Sequence, residues 1–198
     1  MKHKIEEIIE IPPGLTCEFR NKNFTCKNNS NEVSRIIDVP RIEIIIRENK
    51  IILTAEKGSK KELKMIKSQT AHIKNLFLGL KNKFIYKLEA CNVHFPMTLK
   101  AENGKLIINN FLGEKVRRLA EILPGVELDI KGPQITLSSH DKDAAGKTAA
   151  NIERATKIKN RDRRIFQDGI FIVEKPEANV WKEKFILLFM AMKAMNLN

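Results

Sequence analysis

Short runs of alternating apolar and polar residues, separated by turn residues, fill most of this chain. Such period-two runs predict strands with one buried face. Residues 97–101 and 106–109 flank the sequence ENGK, and an Asn-Gly pair between apolar runs predicts a hairpin. Residues 126–130 and 135–139 flank a second turn, KGPQ, and residues 42–46 and 51–55 flank RENK in the same way. Two stretches switch to helical spacing. The first starts near Ser59, where Ser59 and Glu62 have the spacing of a capping box, the serine capping a backbone amide and the glutamate reaching back. Leu63, Ile66, Thr70, Ile73 and Phe77 follow at intervals of three and four and predict one apolar face. Gly79 is placed to end this helix in a left-handed cap. The second helix is expected from about 144 to 160, with the small residues Ala145 and Ala149 turned inward beside Ile152 and Thr156. Asp168-Gly169 then turns the chain into a strand at 170–173.

The two halves repeat each other. Sliding the chain by 84 positions brings Pro12 onto Pro96, Leu15 onto Leu99, Glu43 onto Glu127, Ile51 onto Ile135 and Leu53 onto Leu137. At an offset of 86, Ile66 meets Ile152, Thr70 meets Thr156, and residues 84–86 meet 170–172. The shared order of patterns (hairpin, hairpin, helix, final strand) predicts two tandem copies of one unit. Helices following antiparallel hairpins imply an α+β class, each copy a small antiparallel sheet with a helix on one face. On this reading residues 1–90 form an N-terminal repeat domain, 91–176 a C-terminal repeat domain, and 177–198 a tail. In the tail, Trp181, Phe185, Leu188, Phe189 and Met192 have helical spacing. They predict an amphipathic helix, which either folds back on its own protein or faces a partner.

An apolar content of 42% over 198 residues is enough for packed cores and for one or two domains. A net charge of +12 and a pI near 9.7 point to an anionic partner. Cysteines number three, Cys17, Cys26 and Cys91, without a CxxC pair, so neither a disulfide framework nor a zinc site is expected and a reducing compartment fits. His3, His72, His94 and His140 lack ligand spacing. The first ten residues, MKHKIEEIIE, carry three glutamates and do not read as a signal peptide. The longest apolar run is eight residues, at 185–192, well below the ~20 needed to span a bilayer.

The charge is concentrated. Between 154 and 164, six of eleven positions are basic: Arg154, Lys157, Lys159, Arg161, Arg163 and Arg164, with Asp162 the single acid. Arginine offers a planar fork that grips phosphate bidentately and stacks on bases, and these arginines fall where a helix gives way to a turn. Lys57, Lys60, Lys61, Lys64 and Lys67 form a second cluster, which reads either as a solvated helix face or as phosphate contacts. Phe166 and Phe171 alternate with apolar strand positions and read as core rather than stacking platforms. Gly146-Lys147-Thr148 invites a phosphate-loop reading, but position 141, where that loop requires glycine, is Asp141. A helix start capped by Asp141 or Asp143 explains the segment better. No nucleophile accompanies His94, and Glu102 with Glu114 is a carboxylate pair of the kind any charged protein offers, so no enzyme is expected.

The sequence NFLGEK at 110–115 followed by Arg117 and Arg118, and RATKIKNRDRRIFQDGIFIVEK at 154–175, resemble ribosomal protein six of the large subunit. The likeness is to its archaeal and eukaryotic branch, whose eukaryotic member is numbered nine. His94-Phe95-Pro96 and AHIKNL at 71–76 support it, and it extends over about residues 5–175. It implies two tandem copies of one α+β fold, with the C-terminal domain the main binder of ribosomal RNA, close to the sarcin–ricin loop and the stalk base. Asn110, Gly113, Lys115 and Arg118 match the opening motif, and Arg161, Arg164, Phe166, Asp168 and Gly169 match the closing one. Arg154 stands where the family usually has Gln, and Phe171 where it has Tyr. NNSN at 28–31 replaces the usual Gly-Pro-basic-Gly turn, residues 56–59 lack the usual tryptophan pair, and the tail after Glu177 does not match.

The resulting expectation is a non-enzymatic structural constituent of the large ribosomal subunit, at work in translation on the cytoplasmic ribosome. Its partners would be large-subunit ribosomal RNA and neighbouring ribosomal proteins, with no membrane, small-molecule substrate, metal or cofactor. The expected RNA-binding residues are Asn110, Gly113, Lys115, Arg117, Arg118, Arg154, Lys157, Lys159, Arg161, Arg163, Arg164 and Lys175. The rival is a free-standing RNA-binding or assembly module on the same fold.

Overall fold

The computed structural model of the protein describes residues 3–176 apart from Ser30, His94 and Arg163. The tail helix expected at 177–198 lies outside these residues. The chain opens with β1 (His3–Glu10), β2 (Thr16–Arg20), β3 (Asn23–Lys27), β4 (Glu32–Ile36), β5 (Glu43–Arg47), β6 (Lys50–Gly58) and α1 (Lys60–Lys81). It continues with β7 (Phe84–Cys91), β8 (Thr98–Glu102), β9 (Lys105–Asn109), β10 (Arg118–Glu121), β11 (Glu127–Lys131), β12 (Gln134–Ser139), α2 (Lys142–Ala155) and β13 (Gly169–Glu174). The sheets are β1-β6-β5 and β2-β3-β4 in the first unit, and β11-β12-β7-β13 and β10-β9-β8 in the second. Every pairing is antiparallel.

The expected α+β repeat is therefore present, with an order that differs in two ways: the first hairpin of each unit gains a third strand, β4 or β10, and the strand at 84–91 changes units. Each unit reads strand, three-stranded sheet, hairpin, helix, and the second adds a final strand, β13, as expected at 170–173. The strand at 84–91, expected to finish the first repeat, is the centre of the second unit's sheet, bonded to β12 on one side and β13 on the other. Its counterpart in the first unit is β1, which pairs with β6. The alternating pattern of β7 is the same wherever it docks, so sequence alone cannot say which sheet it joins. The repeat itself is exact at the core: Ile51 and Ile135, Leu53 and Leu137, and Ile66 and Ile152 are all fully buried. The Asn-Gly turn is also as expected, since Asn103 and Gly104 both have positive φ, as a two-residue hairpin turn with the right twist requires.

Both helices start as their caps dictate. Ser59 and Glu62 complete the capping box, and the Asp141 side chain accepts from the Asp143 amide at 2.8 Å. Two helix ends differ from expectation. α2 stops at Ala155, because the buried Thr156 hydroxyl accepts the Ile170 amide at 2.9 Å and ties the chain to β13 instead. Gly79 is not a cap: α1 runs on to Lys81. It is a close-approach point, where an added Cβ would overlap the backbone carbonyl of His140. The His140 Nδ1–H in turn donates to the Gly79 carbonyl at 2.7 Å. Gly146 likewise sits on the ring of Tyr86, whose hydroxyl would lie 3.0 Å from an added Cβ. That contact accounts for the glycine without any phosphate.

The Gly79 contact joins the two units, and a cluster of charges reinforces it. Arg35 on β4 pairs with Asp143 on α2, and His72 on α1 lies 3.7 Å from the same carboxylate. Burial pushes the Asp143 carboxyl up, but the Arg35 guanidinium more than offsets this, so it stands below its ordinary range. Gly79→Ala is expected to push the helix off this junction. The clash is with backbone, which cannot rotate away, so a loss of about 1–3 kcal/mol is expected in denaturant unfolding.

The cysteine expectation is overturned. Cys17 and Cys26 face each other across the β2–β3 hairpin, with Cα atoms 4.3 Å apart, and are joined as a disulfide. The odd count argued against pairing, but register places these two directly opposite. Cys91 is free and exposed.

Acid should act on the caps and on the junction together. Hydrogen bonds from the Ser59 side chain and backbone hold Glu62 down at about 2, against an ordinary 4.5. A folded value below the unfolded one means stability present above about pH 4.5 and lost as pH falls towards 2. Asp143 shifts in the same direction. Helical circular dichroism is expected to decline over that window, and Glu62→Gln should flatten the decline at its low end.

Candidate nucleic-acid interface

The second unit brings its two distinctive segments to one end. The first is the 3-10 turn Phe111–Gly113 with the residues leading into β10. Asn110 takes a left-handed conformation and donates its side-chain amide to the Pro96 carbonyl at 3.2 Å. Gly113, also at positive φ, lies against the ring of Phe95. The second is the loop from the end of α2 to β13. The two meet where Arg118, at the end of the first segment, reaches the Ala155 and Lys157 carbonyls at the start of the second.

Arg118 holds them together. Its guanidinium grips Glu114 through two bonds of 2.9 and 2.7 Å, and donates to the Ala155 carbonyl at 2.9 Å and the Lys157 carbonyl at 3.4 Å. It also covers the buried Phe111 ring, 4.2 Å from its centre. The Arg118 hydrogen bonds hold the Glu114 carboxyl below the usual carboxylate range. Most donors of Arg118 are thus spent inside the protein, and it serves as a strut that sets the shape of this end. From the sequence, Glu114 reads only as one of many surface carboxylates. Glu114 and Arg118 lie outside any helix, where a four-residue spacing does not bring side chains together by itself, so local pattern holds no signal for the pair.

Asp162 organises the basic loop. Its carboxylate accepts the Arg164 amide at 2.9 Å and the Arg164 side chain at 2.9 and 3.2 Å, and its carbonyl accepts the Phe166 amide at 2.9 Å. Those bonds push the Asp162 carboxyl down and the Arg164 guanidinium up. The loop is anchored at its base by Asp168, which is buried and accepts the Val93 amide at 3.2 Å. Arg161 stacks over Phe166 at 4.9 Å.

The remaining cations point outward. Lys115, Arg117, Arg154, Lys157, Lys159 and Arg161 are exposed at this end, and none forms an ion pair among the described residues. Lys175, also expected here, is exposed but follows the far end of β13, past Glu174 opposite Lys87, so the strand carries it away from the loop at the Gly169 end. Arg163, also expected here, lies outside the described residues. The lysines of α1 (Lys60, Lys61, Lys64 and Lys67) are exposed on the other unit. Among the described residues there is no group of His, Cys, Asp or Glu placed to hold a metal, and no helix long and apolar enough to cross a membrane.

Beneath the basic loop lies a groove of about 820 Å³, walled by the end of β7, the last turn of α2 and the start of β13.

The family model described as Ribosomal protein L6 matches residues 95–169, which span both converging segments. The chain is 41% identical over 175 residues to the large ribosomal subunit protein uL6 of Methanosarcina mazei, covering 88% of this chain and 99% of that protein. It is 39% identical over 171 residues to the protein of the same name from Methanobrevibacter smithii, covering 86% and 96%. With that of Methanococcus vannielii the figures are 39%, 86% and 94%. Likeness of this degree over both units and both converging segments shows that the chain belongs to the ribosomal protein L6 family, a structural and non-enzymatic family of the large ribosomal subunit.

Proposed function

We propose that this chain is a structural constituent of the large ribosomal subunit that grips ribosomal RNA with the basic end of its second unit. The position follows the family resemblance: beside the sarcin–ricin loop and the base of the stalk, among neighbouring ribosomal proteins. The observation that carries the reading is the convergence of two segments remote in sequence on one surface, joined by Arg118 bonded to the Ala155 and Lys157 carbonyls, with exposed cations around that junction. Cations held in place around a hydrogen-bonded turn suit the irregular backbone of folded RNA better than a diffuse basic field does. Gly113 and Asn110 shape that surface, and Arg118 acts through position. Arg117, Lys115, Arg154, Lys157, Lys159 and Arg161 supply the free charge of this end, Lys175 stands apart at the far end of β13, and Arg164 shares its charge with Asp162.

The chain is expected to co-sediment with large subunits through a high-salt wash. Release into free fractions would favour the detached assembly module. Binding to isolated large-subunit RNA should weaken steeply with salt. About five phosphate contacts give a log–log slope near −4, and a flat dependence would sink the electrostatic account.

A further inference from the structure

We propose that the groove beneath the basic loop takes one unstacked RNA nucleotide, base inward and phosphate at the rim. The inference rests on the RNA-binding reading and adds a site to it. The groove, about 820 Å³, is of the size that holds a small organic molecule and is far too small for a duplex. Its walls offer Phe171, Val93 and Phe166, the first two exposed and the third already carrying the Arg161 guanidinium on its ring. Exposed aromatic and guanidinium planes are what splayed-out bases stack on. Two amide side chains, Asn92 and Gln167, border the same space. Gln167 uses its nitrogen on the Arg164 carbonyl at 3.3 Å, which leaves its oxygen to accept from a base edge.

Charge sets the orientation. Arg154 and Lys157 line the groove and are exposed, which draws a phosphate to the rim. Glu153 also lines it, and a carboxylate there disfavours a phosphate within. An uncharged base inside with its phosphate outside satisfies both. Phe171, expected from the sequence to be core, is instead more than a third exposed at 38%.

The groove also contains a reporter. Cys91 lines it and is the single free thiol, since Cys17 and Cys26 are joined. The experiment uses the full chain with large-subunit ribosomal RNA purified from Methanosarcina mazei. RNA should slow alkylation of Cys91 by iodoacetamide at least tenfold. Phe171→Ala should weaken binding by roughly 10-fold with an unchanged salt slope, because a stacking contact is lost and no phosphate contact is. Phe171→Tyr, which keeps the ring, should bind like the parent, and Asn92→Ala, at an exposed position that the fold does not use, should weaken binding several-fold. If Arg154→Ala and Lys157→Ala weaken binding while Phe171→Ala and Asn92→Ala do not, and Cys91 stays reactive, the groove assignment is overturned and RNA binding stands. If the parent chain does not bind the RNA at all, both readings fall.

Discussion

A fragment that starts at residue 93 is expected to be unfolded, whereas one spanning 83–176 folds cooperatively. The difference is β7. It is the central strand of β11-β12-β7-β13, paired with β12 from Phe84 to Glu89 and with β13 from Lys87 to Cys91. It also supplies Tyr86, Leu88 and Ala90 to the second core. Burying a large apolar side chain is worth ~1.5–3 kcal/mol, and each backbone bond a net ~0.5–1.5 kcal/mol. Two such side chains and two ladders of bonds therefore amount to the order of a whole domain's stability of ~5–15 kcal/mol. Without β7, β13 has no sheet to join, and the basic loop anchored through Thr156 and Asp168 loses its base. We accordingly propose the division between the units at Asn82 and Lys83, rather than after residue 90. Urea unfolding followed by circular dichroism on the two fragments decides the matter. A cooperative transition in the fragment starting at residue 93 would contradict the pairing.

Replacing Arg154, Lys157 and Arg161 together with Ala should weaken RNA binding by at least ~100-fold, and replacing Lys60, Lys61 and Lys64 by less than ~10-fold. Each triple removes three charges, so a field set by net charge alone would make them equal. The first three are held around a hydrogen-bonded loop, Arg161 by its stacking on Phe166. Directed charge-assisted bonds contribute ~1.5–3 kcal/mol each. The lysines ride on an exposed helix face, where a screened pair is worth under ~1 kcal/mol. Losing three phosphate contacts should also shallow the salt slope by about 2 to 3. Arg118 and Arg164 make poor substitutions for this purpose. The first braces the fold through Glu114, and the second shares its charge with Asp162. Equal weakening by two folded variants would leave only the net charge.

Local rules made much of this protein legible in its sequence. The capping box at Ser59, the Asp141 cap, the Asn103-Gly104 turn and the buried faces of both helices depend on contacts within a few residues, and each stands where spacing put it. The repeat was legible too, because equivalent core positions such as Ile66 and Ile152 must stay apolar in both copies. The basic cluster was visible as composition, and the two family segments as motifs.

What the sequence left open are choices between partners far apart in the chain. β7 has a strand's pattern, but its place between β12 and β13 depends on which edge lies within reach once the helices have docked. Gly79 looked like a helix end and is a packing contact, because the surface it meets, the His140 carbonyl, lies 61 residues further on. Cys17 and Cys26 are joined because hairpin register sets them opposite. The arginines between 117 and 164 read alike as charges. Tertiary structure divides them: Arg118 turns inward onto carbonyls and Glu114, Arg164 is held by Asp162, Arg161 lies on the Phe166 ring, and Arg154 forms no ion pair among the described residues. Periodicity and turn chemistry act over a few bonds, so the sequence by itself determined the helices, their starts and the hairpins whose turns it marks, and pointed to the anionic partner, while the strands β1 to β4 and β10 carry no such local mark. Which strand edge, carbonyl or carboxylate each residue meets is a matter of distance in space, and only the packed chain decided it.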